Sequence, residues 1–487
     1  MKRAHGITGA PSVNAPARAS AVFTLAGIIS KGAAVIFTPF FTRLLSSSEY
    51  GTYSLFHSYL SVLVVIGTLE LSGGAVLRAF QKHRHYECAV ILTAALIFIP
   101  VAALSVGGFY LIRRIFGGGA LFGGAYIMLF SSVVSTGIIN LFVARAKFLY
   151  KPKLALLLAV LQSIVTPILS ISLIYLEALK KFPHVAVKIG TASTVFAVIA
   201  LCFIFILIRK SRREIANRDG GALSFFKECA PLLLRLALPM LPYYFCIMAI
   251  SQADKLSVSR SLGAATLGGY SVAYAAGLSP SCISQGLLCA LSPWVMRKAR
   301  ARDFAKIRGA LSTVTVMLCA LTVAFLSIAP ELFSVLAPSE YRSSISVLFV
   351  IALAPIPLLS VNLASGILCA YEKTLPTVLS GVLCAIPSVA ACYALTSRLG
   401  ATFAAMTVLF AYLLLAAVQI FNIRRLTGEL MLDTVRVLRA LMLTALLAAA
   451  MYAFSDSLAA RLALASLAAA SLLYTLVGAK ALLAERD

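Results

Sequence analysis

Long apolar runs, each about long enough to cross a lipid bilayer, constrain this chain more than any other feature. Its 487 residues contain fourteen such runs, separated by short polar connections. A transmembrane helix needs about 20 consecutive apolar residues, and a helix satisfies its backbone hydrogen bonds within one segment. The approximate spans of the runs are 20–42, 51–77, 88–112, 120–144, 154–176, 185–208, 231–253, 264–290, 309–329, 344–370, 375–396, 400–423, 437–454 and 458–479.

The composition supports the same fold class. Hydrophobic residues make up 61% of the chain and charged residues only 12%, whereas soluble domains are about 45–50% apolar and about 25% charged. The excess of apolar residues predicts a large lipid-facing surface. We therefore expect an all-α polytopic membrane protein with about 14 transmembrane helices.

The distribution of basic residues predicts the topology. If the N-terminus is cytoplasmic, thirty of the 42 Lys and Arg residues fall in cytoplasmic segments and helix ends, and eleven fall on the outer side. This is the pattern of the positive-inside rule, so both termini are predicted in the cytoplasm and the protein in the cytoplasmic (inner) membrane. Topology thus accounts for the net charge of +25 without nucleic acid as a partner. The basic clusters are expected to contact anionic lipid headgroups.

The connections leave no room for a soluble catalytic domain. We find no Walker A loop, no HExxH and no GxSxG motif, and the ten cysteines show no metal-binding spacing. The sequence therefore predicts no enzyme, no bound metal and no cofactor. A proton or sodium gradient is the expected source of energy for any transport.

Two segments of the chain repeat each other. Residues 43–54 read RLLSSSEYGTYS and residues 260–271 read RSLGAATLGGYS. Each copy of this repeat motif lies in the break between two apolar runs on the predicted outer side. We expect its glycines and tyrosines to shape the outer ends of the bundle, with direct substrate contact as the alternative. The identical positions are Arg43 and Arg260, Leu45 and Leu262, Gly51 and Gly268, Tyr53 and Tyr270, and Ser54 and Ser271.

The repeat divides the chain into two halves. It maps runs 1 and 2 onto runs 7 and 8, and this even offset gives the halves parallel topology. We predict two six-helix lobes followed by two further C-terminal helices. The predicted segments are a cytoplasmic tail (1–19), an N-lobe (20–210), a cytoplasmic linker (211–230), a C-lobe (231–424), and helices 13 and 14 with a short tail (425–487).

These motifs resemble a known family. Residues 238–274 read LPMLPYYFCIMAISQADKLSVSRSLGAATLGGYSVAY, and the first half carries Thr42–Ser46, Glu49–Tyr53 and Arg78. Together they resemble the oligosaccharide and polysaccharide flippases (Wzx-type) of the multidrug/oligosaccharidyl-lipid/polysaccharide exporter (MOP) superfamily. Glu70 departs from the resemblance, because a glycine is expected there.

The resemblance implies both an architecture and a function. It implies a V-shaped pair of lobes around a central cavity, working by alternating access. The implied substrate is undecaprenyl-diphosphate-linked oligosaccharide, moved from the cytoplasmic to the periplasmic leaflet, as in lipopolysaccharide O-antigen or exopolysaccharide synthesis. Polymerase and glycosyltransferases of the same pathway are the implied partners.

Five basic residues are candidates for substrate binding. Lys31 lies in the middle of run 1, where a lysine costs about 2.5–3.5 kcal/mol, so it is expected to face the interior. It could bind the diphosphate or an acidic sugar, or it could form a structural pair. Arg78, Arg145, Lys147 and Arg235 could form a basic cytoplasmic entrance, since arginine matches phosphate oxygens. The alternative is ordinary anchoring at the membrane surface.

Three further charged residues are candidates for coupling or gating. Glu70 could carry a proton, pair with a basic residue, or lie at the interface. Asp254 and Lys255 could form a gate between the lobes or a plain structural ion pair. His57, alone in run 2, is predicted to be a packed or hydrogen-bonded histidine.

The sequence is also compatible with other functions. One is a small-molecule or multidrug exporter of the same superfamily, and another is a lipid II flippase. A membrane-embedded glycan polymerase or glycosyltransferase is the alternative from a different class. It would need a large outer loop or an acidic metal-binding motif, and the sequence shows neither.

Overall fold

The computed structural model describes residues 15–115, 124–149, 152–176, 182–216, 221–371 and 374–467. Within these ranges the regular structure is helical and no strand occurs, which confirms the all-α prediction. Among the described residues, eight helices are long and apolar enough to cross a membrane, or up to ten if each of two bent pairs is one span. The count of fourteen therefore stays a prediction.

The described part of the first half contains eight α-helices. Helices α6 and α7 are joined by the π-helical turn Leu161–Val165, and together they give one span, Lys153–Tyr175. A 3₁₀ turn at Leu71–Gly73 follows α2. The helices are α1 (Ala15–Leu44), α2 (Ser47–Thr68), α3 (Ala75–Lys82), α4 (Glu87–Ile115), α5 (Ala125–Phe148), α6 (Pro152–Val160), α7 (Thr166–Tyr175) and α8 (His184–Ile215).

The rest of the described chain forms nine more helices. They are α9 (Gly221–Ala237), α10 (Leu241–Gly277), α11 (Ser281–Arg300), α12 (Phe304–Leu336), α13 (Ile345–Ile351), α14 (Pro355–Ala370), α15 (Thr374–Thr427), α16 (Thr434–Ala453) and α17 (Leu458–Leu467).

Two helices are bent at a glycine. Helix α10 has 37 residues and α15 has 54, longer than a bilayer needs at about 1.5 Å per residue. Gly263 in α10 has φ 88° and Gly400 in α15 has φ 82°, a region that glycine enters without a steric penalty. Each glycine lies where two of the predicted runs meet. Helices α10 and α15 therefore each contain parts of two runs.

The two ends of the bundle carry different features. The motif end carries both copies of the repeat motif, between α1 and α2 and around the bend of α10. Helices that run away from it finish in basic last turns, with Arg145 and Lys147 on α5, and Arg297 on α11. Helix α4, which runs toward the motif end, also finishes in a basic turn, at Arg113 and Arg114. We call the end opposite the motif the basic end.

Helix α9 packs against the first half of the chain. Phe225, Cys229 and Leu233 lie on one face of α9 and are buried in a core shared with α3 and α4. The predicted linker 211–230 thus runs into an amphipathic helix whose apolar side is covered. The predicted tail 1–19 reaches the described structure only at Ala15, where α1 begins.

Arg461 fixes the last described helix to the rest of the bundle. It lies in α17 and is only 1% exposed. Its guanidinium donates one hydrogen bond to the Ser327 carbonyl at 2.6 Å and two to the carboxylate oxygens of Glu331. Ser327 and Glu331 both belong to α12. A buried guanidinium requires such partners, so α17 is held to α12.

Candidate functional site

The two copies of the repeat motif cross each other at their glycines. A Cβ atom on Gly51 would lie 1.8 Å from the Ala264 carbonyl oxygen, and one on Gly268 would lie 2.0 Å from the Ser47 carbonyl oxygen. Ser47 and Ala264 are themselves equivalent in the repeat. The two contacts are therefore related by the same pseudo-symmetry as the halves. Helices α2 and α10 approach so closely because glycine has no side chain.

A hydrogen bond lies beside this crossing. The Ser271 hydroxyl donates to the Ser54 hydroxyl at 2.6 Å, across the 217 residues that separate the copies. In each copy the helix is interrupted at the same position of the repeat, just before the crossing, but a different feature causes the interruption. Ser46 starts α2 as an N-cap in a capping box with Glu49, whereas Gly263 breaks α10 through its positive φ. The repeat motif thus forms one contact between the halves.

The equivalent tyrosines of the motif contact buried charges of opposite sign. In the first half, the Lys188 ammonium lies 3.6 Å from the centroid of the Tyr53 ring and 3.7 Å from that of Phe41. In the second half, the Tyr270 hydroxyl donates to the Asp254 carboxylate at 2.5 Å. Lys188 is 6% exposed and Asp254 is fully buried. Cation–π contacts of a desolvated lysine are worth about 2 kcal/mol.

Three basic side chains come together below the crossing. The Lys255 ammonium lies 4.2 Å from the centroid of the Tyr274 ring. His57 lies one turn along α2 from Tyr53, with their ring centroids 6.0 Å apart. Lys188 and Lys255, one from each half, are both within electrostatic range of His57.

We call His57, Lys188 and Lys255 with the tyrosine rings beside them the basic–aromatic cluster. The His57 ring packs edge-on against the Tyr53 ring, and the rest of its side chain is exposed. It lies near lysines of both halves. Among the described residues, Lys188 has no carboxylate within ion-pairing distance. The cluster therefore places basic groups of both halves near one another, with the Lys188 ammonium held between aromatic rings.

A second site lies at the basic end. A cavity of about 330 Å³ opens between the turn after α2 and the end of α5. Leu69 and Glu70 both have positive φ, 51° and 44°, and each such non-glycine residue costs about 1–3 kcal/mol. The lining residues are Glu70, Ser72, Gly73, Leu77, Asn140, Val143, Ala144 and Lys147. We call this space the Glu70 cavity.

The structure brings only some of the predicted site residues together. Glu70 and Lys147 share the Glu70 cavity. Arg78 is exposed on α3, within electrostatic range of Tyr244 in the second half. Arg145 forms an ion pair with Glu87 at 3.4 Å.

The remaining predicted residues lie elsewhere. Arg235 is exposed on α9, and Arg260 is exposed at the bend of α10. Arg43 donates to the carbonyl oxygens of Pro39 at 3.0 Å and Val335 at 3.3 Å, so it joins α1 to α12. Lys31 belongs to α1, but its side chain lies outside the described residues.

Sequence reasoning missed Lys188. It was counted only among the outer-side charges, because it stands near the start of run 6. Its position could have indicated a role, because it lies one helical turn inside an apolar run. A lysine at such a position needs polar or aromatic partners. Its partners come from α1 and α2, and no local pattern links them to α8.

Three comparisons bear on the identity of the chain. The family model described as "Polysaccharide biosynthesis protein" matches residues 17–298. The structure is similar to lipid II flippase MurJ in an inward closed conformation, with TM-score 0.63 and 16% identity over 95% of this chain and all of that one. No curated protein matches the sequence significantly.

Other similar structures belong to the same superfamily. An outward-facing multidrug resistance MATE family transporter of the MOP superfamily gives TM-score 0.58 at 14% identity, covering 85% of this chain and 96% of that one. A MOP superfamily transporter from Pyrococcus furiosus gives 0.57 at 14% identity, with the same coverage. Such low identities establish the fold alone. The family model covers more than half of the sequence, and the chain therefore belongs to the polysaccharide biosynthesis protein family, with the fold of the MOP superfamily.

Proposed function

We propose that this protein is a flippase that moves lipid-linked oligosaccharide across the membrane by alternating access. The observation that carries the proposal is the basic–aromatic cluster, to which both halves contribute, directly below the crossing of α2 and α10. A substrate bound there touches both halves, so its binding energy can favour one arrangement of the halves over another.

The chemistry of the cluster fits a diphosphate headgroup. The ammonium groups of Lys188 and Lys255 supply positive charge in a water-poor environment, where charge interactions are strong. The aromatic rings beside them offer apolar faces to sugar rings. We further propose that Lys31 supplies another positive charge to the headgroup as it passes between the halves. The undecaprenyl chain stays in lipid while the headgroup passes between the halves.

The contact between the halves suits a gate. At Gly51 and Gly268 the backbones of α2 and α10 lie directly on each other, so no side chain has to move out of the way at these two points when the helices separate. Hydrogen bonds between the halves at this end run from Ser271 to Ser54 at 2.6 Å, from Thr42 to the Leu336 carbonyl at 2.8 Å and from Arg43 to the Val335 carbonyl at 3.3 Å. Rocking of the halves would break these bonds and open the motif end.

An ion gradient is the proposed energy source. The sequence contains no nucleotide-binding motif, so transport needs another driving force. Glu70 and Asp254, one acid in each half, are the proposed coupling residues for H⁺ or Na⁺. We propose the inner membrane as the location, with the basic end and both termini on the cytoplasmic side.

Reconstitution tests the proposal. The full chain is placed in proteoliposomes with a fluorescent prenyl-diphosphate oligosaccharide, and the fraction of glycan accessible from outside is measured over time. We expect movement that depends on a pH or sodium gradient, and at least a tenfold loss for Lys188→Gln. Lys82→Gln, at an exposed lysine of α3, is the matched control and should retain the wild-type rate.

Two other substrates and one product analysis decide between the alternatives. Lipid II and a cationic drug are tested in the same vesicles, and the glycan products are checked for elongation. Transport of lipid II alone would favour a lipid II flippase, and transport of the drug alone a small-molecule exporter. Elongated glycan would favour a membrane-embedded enzyme. Any of these results without movement of the oligosaccharide lipid contradicts the proposal.

A further inference from the structure

The Glu70 cavity is separate from the basic–aromatic cluster. It lies at the basic end and is built from the 3₁₀ turn after α2 and from α5. Asn140, Val143, Ala144 and Lys147 are spaced so that they share one face of α5. The opposite wall carries Glu70. The cavity volume of about 330 Å³ is at the lower end of the range for small-molecule sites, about 300–1,000 Å³.

The polar groups of this cavity are not used by the protein itself. Among the described residues, the Asn140 amide makes no hydrogen bond, and the Lys147 ammonium has no carboxylate within ion-pairing distance. The Glu70 carboxylate likewise has no Lys or Arg within ion-pairing distance among these residues. An acceptor, an amide and a cation thus converge on one half-enclosed space. Half-buried polar groups of this kind are satisfied by water or by a ligand.

The turn is shaped so that Glu70 remains in the cavity wall. A Cβ atom on Gly73 would lie 3.2 Å from the Glu70 Cγ and 3.2 Å from the Tyr244 hydroxyl oxygen. Glycine at this position leaves room for the glutamate beside the second half. The two consecutive positive φ values, at Leu69 and Glu70, turn the chain here. A carboxylate therefore stands in the wall facing Lys147, at an otherwise basic end.

This set of groups matches a sugar next to a phosphate. A carboxylate accepts hydrogen bonds from sugar hydroxyls, an amide both accepts and donates, and an ammonium attracts a phosphate oxygen. We propose that the substrate first enters from the basic end, before its diphosphate reaches the basic–aromatic cluster, and that the Glu70 cavity then binds the sugar residue adjoining the diphosphate. Glu70 makes the cavity selective for an uncharged sugar. This inference rests on the proposed function and adds the chemical class of the proximal sugar.

The selectivity follows from charge. An uncharged hydroxyl-rich sugar can donate to the Glu70 carboxylate. A uronic acid would bring a second carboxylate to the same wall, and like charges repel strongly in a partly buried site. Rejection by an unfavourable charge contact is a common source of specificity. Removing the charge of Glu70 should therefore relax the selectivity while retaining hydrogen-bonding capacity.

Binding measurements on the full chain in lipid nanodiscs test this. The three probes are farnesyl diphosphate, farnesyl-diphosphate-linked N-acetylglucosamine and farnesyl-diphosphate-linked glucuronic acid. For the wild type we expect the dissociation constant of the glucuronic acid lipid to exceed that of the N-acetylglucosamine lipid at least tenfold. Glu70→Gln should bring the two within about threefold, mainly by tighter binding of the glucuronic acid lipid. Glu429→Gln, at an exposed acid of the basic end, should keep the wild-type ratio.

A second variant separates sugar binding from phosphate binding. Asn140→Leu should weaken the N-acetylglucosamine lipid several-fold and leave sugar-free farnesyl diphosphate unchanged. An unaltered ratio in Glu70→Gln, or equal losses for both lipids in Asn140→Leu, would overturn the inference. In that case the proposed function still stands if the wild type binds and moves prenyl diphosphates. Binding of none of the three probes would overturn both.

Discussion

The hydroxyl groups of Ser54 and Ser271 form a hydrogen bond of 2.6 Å, although 217 residues separate them. Because they are the same position of the repeat, the pseudo-symmetry axis of the two halves passes close to this bond. The Gly51 and Gly268 contacts flank it. The duplicated motif therefore contacts its own copy, and the contact joins the two halves at the motif end.

A disulfide at this position should lock the halves together. In Ser54→Cys with Ser271→Cys the two sulfur atoms replace oxygens that already touch, and a disulfide needs a separation of about 2.05 Å. We expect oxidation to stop transport and a reducing agent to restore it, measured in the proteoliposome assay. Each single cysteine variant serves as the control. Full transport by the cross-linked protein would show that this contact need not open.

Alanine at the crossing glycines should separate α2 from α10. In Gly51→Ala the new methyl group would lie 1.8 Å from a carbonyl oxygen, so the helices must move apart. We expect slower disulfide formation between cysteines at positions 54 and 271, by about tenfold. Gly107→Ala, where nothing lies within 4 Å, is the control and should leave the rate unchanged. Equal rates in both variants would contradict the close crossing.

Removing the hydroxyl group of the two equivalent tyrosines should have unequal effects. Tyr270→Phe takes a donor from buried Asp254, and a hydrogen bond to a charged group contributes about 1.5–3 kcal/mol. Tyr53→Phe keeps the ring that faces Lys188, so its unfolding free energy should change by less than about 0.5 kcal/mol. Thermal unfolding in detergent measures both. Equal destabilisation by the two substitutions would contradict the finding that Tyr53 contacts a lysine through its ring whereas Tyr270 contacts an aspartate through its hydroxyl group.

Breaking the Arg461 contact should loosen the C-terminal helices. Arg461→Ala leaves Glu331 without its partner, and breaking a buried ion pair costs about 3–5 kcal/mol. Since Glu331 is 48% exposed, we expect the lower end of that range. Arg342→Ala, at an exposed arginine, is the control. The double variant Arg461→Leu with Glu331→Leu should regain part of the lost stability, and thermal unfolding measures all three.

Asp303 should confer a pH dependence at the basic end. Its carboxylate accepts from Lys298 at 2.9 Å and from the Lys306 backbone amide at 3.4 Å, and the Lys298 hydrogen bond holds its pKa below the usual value. Because the pKa of Asp303 is lower in the folded protein than the unfolded value of 3.8, its ionised carboxylate stabilises the fold at pH values above 3.8. This stabilisation is lost as the pH falls through the folded pKa. The melting temperature of Asp303→Asn should thus lie below that of wild type at pH 7 and match it in strong acid. A difference that persists in acid would contradict this.

The sequence by itself determined the helical membrane class, the repeat and the segregation of basic residues. These properties depend on local composition, because insertion and helix formation are decided largely segment by segment. The bends at Gly263 and Gly400 also coincide with boundaries between apolar runs. The family could be recognised from the residues around Asp254 for the same reason, since a contiguous motif retains its spacing.

Only the tertiary structure decided which surfaces meet. In lipid an apolar helix face has no strong preference between a neighbouring helix and the lipid chains, so periodicity does not tell which residues face inward. The partners of Lys188, the ion pair of Arg461 and the Glu70 cavity each join segments far apart in sequence. The contact between the two copies of the motif is of the same kind. The duplication placed an equivalent motif in each half. The two copies touch because a glycine in each lets the backbones of α2 and α10 pack closely.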